Sequence, residues 1–359
     1  MIFRASGLPR VMECNGSYAL EAPYPDEEEE EAKEGTLAHE FAFMNLRYGC
    51  ALNELDFEMY RAVTLYSNFC REFIKITTLW GVEVQHEIDL AGHILQGTTD
   101  FFAWLPDGTL VIIDFKYGHG WVEVRENWQL LAYAVLMWRK YGNGTEPRQV
   151  QLYVIQPRAN HPKGPVRKWE FDGVLVRNYS NMIQNNISVA STDQARTISG
   201  EHCRYCKALI GCHTNQESLS HCIDVVGAMV NEEMTPESVA RELDLLKAVQ
   251  DRAKHRLEAL EPYAIEKSKT GSIIPGYRAT QSWSALKWNE NDETTINKAI
   301  HEYDVDIRKP SQPFTPTQII DRGILDEDKV KKLASRKPGA FKLKRESLTH
   351  AKELIKNAS

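Results

Sequence analysis

Asp114 and Lys116 stand two positions apart in residues 109–117, TLVIIDFKY. The run opens with apolar, β-branched residues, which predicts a buried strand. In a strand, residues i and i+2 project from the same face. The carboxylate and the amine therefore point the same way from a segment where unpaired charge is costly to bury. The segment before it, about residues 93–105, carries Asp100, and residues 105–109 (LPDGT) are a turn signal. Pairing across that turn brings Asp100 beside Asp114. Two carboxylates and an amine at one spot require a compensating cation, and oxygen ligands suit Mg²⁺ or Mn²⁺. Taken alone, an Asp-x-Lys pair is more often an exposed ion pair. Two flanking features argue for a site. Residues 35–39 (GTLAH) open an apolar-periodic segment with His39 in its first turns, and Gln129 and Tyr133 lie at i and i+4, on one helix face.

A second constellation is made of thiols. Cys203, Cys206 and Cys212 form a C-x₂-C-x₅-C group within residues 200–212. Three cysteines this close in a chain with no disulfide framework point to a metal. Two readings stand open on spacing. In one, Cys222, His213 or His221 completes a local tetrahedral Zn²⁺ site. In the other, Cys14 is the fourth thiolate and the group holds an iron–sulfur cluster.

The elements that must position these residues are legible from periodicity. Residues 1–24 read as a short helix with Cys14 near its middle. Residues 36–48 form the helix of His39. Residues 55–80 form a helix with a core stripe of Phe57, Tyr60, Leu65, Phe69 and Phe73. Residues 82–90 alternate as a strand, with Val82, Val84, His86 and Ile88 on one face and Glu83, Gln85, Glu87 and Asp89 on the other. Glu87 is the candidate auxiliary acid of that strand, although a solvent-facing edge glutamate is the plainer reading. The hairpin follows, then a helix over 125–141, strands over 149–156 and 167–171, and a helix over 174–190. Residues 236–267 read as a long helix whose apolar stripe needs a partner. Residues 271–288 read as strands, with Trp283 and Trp288 assigned to core or hairpin packing ahead of base stacking. Short helices and a linker at 310–316 complete the chain.

The motifs GTxxH, GTTD, IIDFK and QxxxY, in that order, resemble the RecB-like branch of the PD-(D/E)XK nuclease superfamily. The resemblance covers residues 1–215. It implies an α/β fold with a restriction-endonuclease-like core, a mixed central sheet flanked by helices, followed by a metal-stapled cysteine segment. It divides the chain into a nuclease domain, 1–215, and a C-terminal α+β extension, 216–359, of unread role. It implies a Mg²⁺- or Mn²⁺-dependent deoxyribonuclease, an exonuclease in DNA recombination or processing of a phage type. His39, Asp100 and Asp114 would hold the ion with the carbonyl after Asp114, Lys116 would position the water, and Gln129 and Tyr133 would orient the strand and the lysine. Relatives of the iron–sulfur branch carry one cysteine before the core and three after it. That pattern favours Cys14, Cys203, Cys206 and Cys212 around a [4Fe–4S] cluster with a folding role, over Zn²⁺. DNA ends are the implied partner, with a recombination or replication protein as a further one. The competing class is a non-catalytic DNA-binding or scaffold protein with a zinc site on a retired nuclease fold. The set His39, Asp100, Asp114 and Lys116 argues against retirement.

Composition bounds the rest. The 359 residues are 42% hydrophobic and 26% charged, enough for one large domain or two smaller ones. No apolar stretch approaches the ~20 residues of a membrane span. The N-terminus has no signal-peptide pattern, so a cytoplasmic location is expected. The net charge of −7 excludes a generally basic nucleic-acid binder. Charge is uneven, with an acidic run at 26–31 and a tail from 329 to 359 with ten lysines and arginines against two glutamates. No repeat or P-loop is present, so no motor is encoded.

Overall fold

The computed structural model describes residues 1–24, 30–52, 55–228, 235–283, 285–289, 292–307, 314–336 and 338–345. The acidic run, the 310–316 linker and the end of the basic tail lie wholly or largely outside the described residues. The chain divides into two compact units, Met1–His255 and Arg256–Ser359. The boundary read at 215 falls inside the first unit.

The first unit is built on a mixed six-stranded sheet flanked by helices. Its strands are β1 (Ile2–Arg4), β2 (Leu79–Leu90), β3 (His93–Trp104), β4 (Thr109–Phe115), β5 (Gln149–Ile155) and β6 (Val166–Asp172). β4 and β5 are central and parallel, joined by the helix α5 (Trp128–Tyr141), which serves as the long crossover that parallel pairing needs. Every residue of β4 is buried, as expected for a parallel strand with helices on both faces. Leu110, Ile112, Val150 and Leu152 face α5 and α6 (Leu175–Ala190). Val111, Ile113 and Ile155 face α3 (Glu30–Tyr48) and α4 (Phe57–Ile74). Asn127 and Asp56 cap α5 and α4 by accepting from backbone N–H groups two and three residues on.

Two features escape the sequence reading. First, residues 2–4 are not helical but form β1, which pairs in parallel with β3 at Ile94–Gln96. β3 is paired along its other edge with β2. On the β1 side, pairing resumes only at Phe101, with β4. Residues 97–100 of β3, the GTTD segment, therefore lie in a gap between the ends of β1 and β4. Second, β2 does not alternate evenly. Trp80 and Val82 pack into the core beneath α3 and α4, whereas Val84 and Ile88, of the same parity, pack into the core beneath α5. Glu83 between them has a positive φ of 49°, which reverses the facing of the strand there.

Beyond the sheet, α3 begins at Glu30 rather than at residue 36, so Gly35 lies within it. The cysteine segment, residues 200–212, is made of short 3₁₀ turns. The long helix α8 (Pro236–Lys269) leaves Leu243, Leu246 and Leu257 more than 40% exposed, so its stripe has no covering partner among the described residues. The second unit has its own core, formed by Ala299, Ile307, Ile319, Leu325, Val330 and Leu333. Trp288 packs against it and donates its indole N–H to the Phe314 carbonyl at 3.1 Å, but Trp283 is 61% exposed.

Candidate active site

The site forms where β3 and β4 part. Their pairing runs to Phe101↔Ile113 and stops; the next pair in register would be Asp100 and Asp114. Instead, the Asp100 carboxylate accepts from the backbone N–H of Phe115 at 2.7 Å, wedged into the fork. His39 comes from α3, its Nδ1 3.3 Å from Glu83 Oε1 and 3.7 Å from Asp100 Oδ2. Its ring packs on Phe115, with centroids 5.4 Å apart. One nitrogen and two carboxylate oxygens, from His39, Glu83 and Asp100, thus lie within 4.8 Å of one another, a donor set able to hold a divalent ion.

Asp114 falls outside that trio. Its Oδ2 lies 3.2 Å from Lys116 Nζ, while its buried Oδ1 has no hydrogen-bond partner. A buried, partnerless carboxylate oxygen is costly unless something charged completes it. Lys116 Nζ also donates to Gln129 Oε1 at 3.2 Å, and Gln129 Nε2 donates to the Tyr133 hydroxyl at 2.8 Å. The i, i+4 pair on α5 therefore holds the lysine in a chain of hydrogen bonds, Tyr133–Gln129–Lys116–Asp114.

The electrostatics follow from burying carboxylates, an imidazole and an ammonium together. Burial pushes the Asp114 carboxyl up to about 6, against the pull of Lys116, with Asp100 adding to the rise. Burial likewise raises Asp100, opposed by His39 and Lys116. Burial alone would lower His39, but Asp100 and Glu83 outweigh it and bring the ring to about 9. For Lys116, burial is outweighed by Asp114 and Asp100, and the ammonium is held above its ordinary range.

Of the residues expected from sequence, the fold brings together His39, Asp100, Asp114, Lys116, Gln129 and Tyr133. It adds Glu83 and leaves Glu87 exposed on β2. Even alternation would have set Glu83 on the face of Glu87. The signal that could have singled it out is its place in the hairpin, between the pairs Val82↔Phe101 and Val84↔Thr99, where Asp100 is the residue left on the other strand.

At the other end of the N-terminal segment two of the four candidate thiols, Cys14 and Cys203, meet at Ile198. Among the described residues the four cysteines do not form a donor group as close as that of His39, Glu83 and Asp100. Cys14 caps the helix α1 (Leu8–Glu13), and its sulfur accepts from the Ile198 N–H at 3.3 Å. The Cys203 sulfur accepts from the Gly200 N–H at 3.4 Å. His202 meets the Ile198 carbonyl at 2.8 Å, and the neighbouring Cys14 and Cys203 thiols, with burial opposing, lift its imidazole to about 10. Burial opposes the Cys14 and Cys203 thiolates, yet His202 and the backbone N–H groups lower both. Burial pushes Cys206 up to about 12. Cys206 and Cys212 are half-buried. Cys222 is met instead by the Arg252 guanidinium at 3.1 Å, and His213 pairs with Glu217 at 3.1 Å. Arg10 and Glu21 tie the clasp from the N-terminal side: Arg10 donates to the Tyr205 carbonyl at 2.7 Å, and the Lys207 N–H donates to Glu21 at 2.9 Å.

Comparison with sequence families decides the kinship. Residues 2–334 match the model of the family described as "Protein of unknown function (DUF2800)". The chain belongs to that family. This DUF2800 member is also similar to solved structures at low identity. One, described as a "Putative exonuclease" from Eubacterium rectale, shares 11% identity over 57% of this chain and 87% of that one, with a TM-score of 0.36. An alkaline exonuclease from Laribacter hongkongensis shares 12% identity over 52% of this chain and 87% of that one, with a TM-score of 0.25. Likeness at that level carries no argument for the DUF2800 chain, and its function is argued from its own residues. None of its described helices is long and apolar enough to cross a membrane.

Proposed function

We propose that the chain is a Mg²⁺- or Mn²⁺-dependent deoxyribonuclease that hydrolyses phosphodiester bonds at DNA ends, in recombination or processing. The observation that carries this reading is the His39–Glu83–Asp100 donor set beside a buried Asp114 whose Oδ1 has no partner. These residues fit a divalent ion: His39, Glu83 and Asp100 would hold it, and the partnerless Oδ1 of Asp114 would be a further donor. When bound, the ion supplies positive charge against the scissile phosphate and acidifies a water. The chain's own residues do the rest. Lys116, fixed by Gln129 and Asp114, donates to the attacking water or to the phosphoryl oxygen on which charge develops, and a preorganised donor of this kind is worth orders of magnitude in rate. Tyr133 fixes the Gln129 amide and so the lysine's reach. Asp100, locked by the Phe115 N–H, keeps the fork open. Water oxygen bonds to phosphorus and releases a proton to solvent as the bond to the leaving sugar oxygen breaks, and that oxygen takes up a proton from solvent.

Cys14, Cys203, Cys206 and Cys212 are proposed as the ligands of a [4Fe–4S] cluster, with Zn²⁺ the other candidate. Supporting this, segments 189 residues apart bring two thiols to one residue, Ile198, whose N–H donates to Cys14 at 3.3 Å and whose carbonyl lies 3.9 Å from the Cys203 sulfur. The cluster would clasp the N-terminal segment to the end of the first unit. The nuclease reading is tested on labelled linear single-stranded, linear double-stranded and circular DNA with Mg²⁺ or Mn²⁺. Wild type should degrade linear DNA and spare circles. Equal cutting by wild type and by Asp114→Asn and Lys116→Gln proteins would refute it. Retention without cutting would favour a DNA-binding scaffold.

A further inference from the structure

The gap between β1 and β4 is also a cleft. The carboxyl ends of both strands point into it, β1 being parallel and β4 antiparallel to β3. Crevices outside the carboxyl ends of strands are where open α/β sheets bind ligands. This one has a volume of about 270 Å³. That is nearly twice the ~150 Å³ that accommodates benzene. It has room for a nucleobase with part of its sugar. Its walls include Arg4, Ser6, Gln85, Gln96, Thr98 and Tyr133. Amides and hydroxyls beside a guanidinium suit a ligand with hydrogen-bonding edges and a phosphate. The floor is Gly97. A Cβ there would come within 2.9 Å of Ala5 Cβ, 3.0 Å of Tyr133 Cε1 and 3.3 Å of Leu136 Cδ1, so a glycine is needed to keep the wall flat.

The cleft and the reacting centre share a wall. Tyr133 lines the cleft, and its hydroxyl accepts from Gln129, which accepts in turn from Lys116. A second hollow of about 250 Å³ continues past Gln85 and Gln96 to His86 and Glu87. Lys140 donates to the Gln85 carbonyl at 3.1 Å, placing positive charge at the seam. The Glu87 carboxylate disfavours a phosphate in the outer hollow, which leaves Arg4 as the phosphate position.

Resting on the nuclease reading, we propose that this cleft seats one nucleotide of the substrate strand next to the scissile phosphate, with Arg4 on its phosphate and Gln85 and Gln96 along the edges of its base and sugar. Arg4 and Gln96 are paired residues of β1 and β3, so the short N-terminal strand is there to build this seat. Neither residue touches the reacting atoms. Both set where the strand lies.

The test is fluorescence anisotropy of a labelled single-stranded oligothymidylate with the full chain, without added Mg²⁺ or Mn²⁺, over a salt series. A single-strand phosphate contact contributes about 0.7 to the slope of log K against log salt. Arg4→Gln should weaken binding about tenfold and reduce that slope by about 0.7. Gln96→Leu should weaken binding with the slope unchanged, and it serves if Arg4→Gln fails to fold. In cutting assays both should raise KM and leave kcat near wild type. If both variants bind with wild-type affinity and slope while wild type cuts DNA, the seat is wrong and the nuclease stands. If wild type never cuts but the slope falls in Arg4→Gln, the seat stands and the nuclease reading fails. If free thymidine monophosphate displaces the strand at micromolar concentration, the cleft is a mononucleotide site and the proposal is overturned.

Discussion

Asp114 holds the least comfortable position in the molecule. It is 2% exposed, shares one oxygen with Lys116 and leaves the other without a partner. Replacing it by Asn keeps the shape and removes the charge. Asp114→Asn should cut DNA at least about a thousandfold more slowly while its thermal midpoint holds or rises, checked by single-turnover hydrolysis and calorimetry. Glu83→Gln should weaken Mn²⁺ binding about tenfold or more, read by titration calorimetry, because it removes one of three clustered donors. The pH dependence of the metal-free protein has a definite sign. His39 rises from 6.5 to about 9, so its stabilising contribution is complete below about 6.5 and is lost as pH rises through 9. Asp114 rises from 3.8 to about 6, so the fold binds its proton more tightly than the unfolded chain does, and stability drops as pH rises through 6. Both act the same way. The metal-free melting temperature should fall between pH 6.5 and 9, and His39→Gln should flatten that fall. A rise over the same interval would contradict the charge arrangement.

At the scale of elements, two close approaches constrain the chain more than any motif does. Gly97 leaves no room for a methyl group between Ala5, Tyr133 and Leu136. Gly97→Ala should cost about 1–3 kcal/mol in urea unfolding, the usual penalty for overpacking, and should impair cutting by moving Tyr133. At the thiol clasp, a Cβ on Gly16 would meet the Thr197 Cγ2 at 2.8 Å and the backbone of Arg196 and Thr197 at 3.0 Å. There the turn after Cys14 and the segment before Cys203 are pressed together. Cys14→Ser should therefore both lower the metal content of anaerobically purified protein and loosen this contact. Elemental analysis and the melting temperature together report it, and unchanged metal content would remove Cys14 from the ligand set. Iron with inorganic sulfide would support the cluster, and zinc alone would exclude it.

At the scale of the molecule, the sheet, both helix layers, the fork and the thiol clasp all belong to Met1–His255. The other unit has a separate core of its own. A fragment ending at His255 should keep a cooperative unfolding transition and its hydrolytic activity, because it cuts α8 where none of that helix's residues is buried. Loss of folding in that fragment would show that the units depend on one another.

The sequence by itself determined the local facts: the buried strand that ends in Asp114 and Lys116, the hairpin turn that sets Asp100 against it, the Gln129–Tyr133 helix face, and the spacing of three cysteines. Each is written in periodicity or in a turn, over a few residues. The tertiary structure alone decided the rest. The role of Glu83 depends on one left-handed residue that reverses the facing of β2, and alternation patterns assume that no such reversal occurs. The role of Arg4 depends on a three-residue strand, too short to show a period, whose partner lies ninety residues away. The nearness of Cys14 to Cys203 depends on a long-range packing contact that spacing does not encode. What joins these residues is the geometry of strand ends, and that exists only once the sheet has formed.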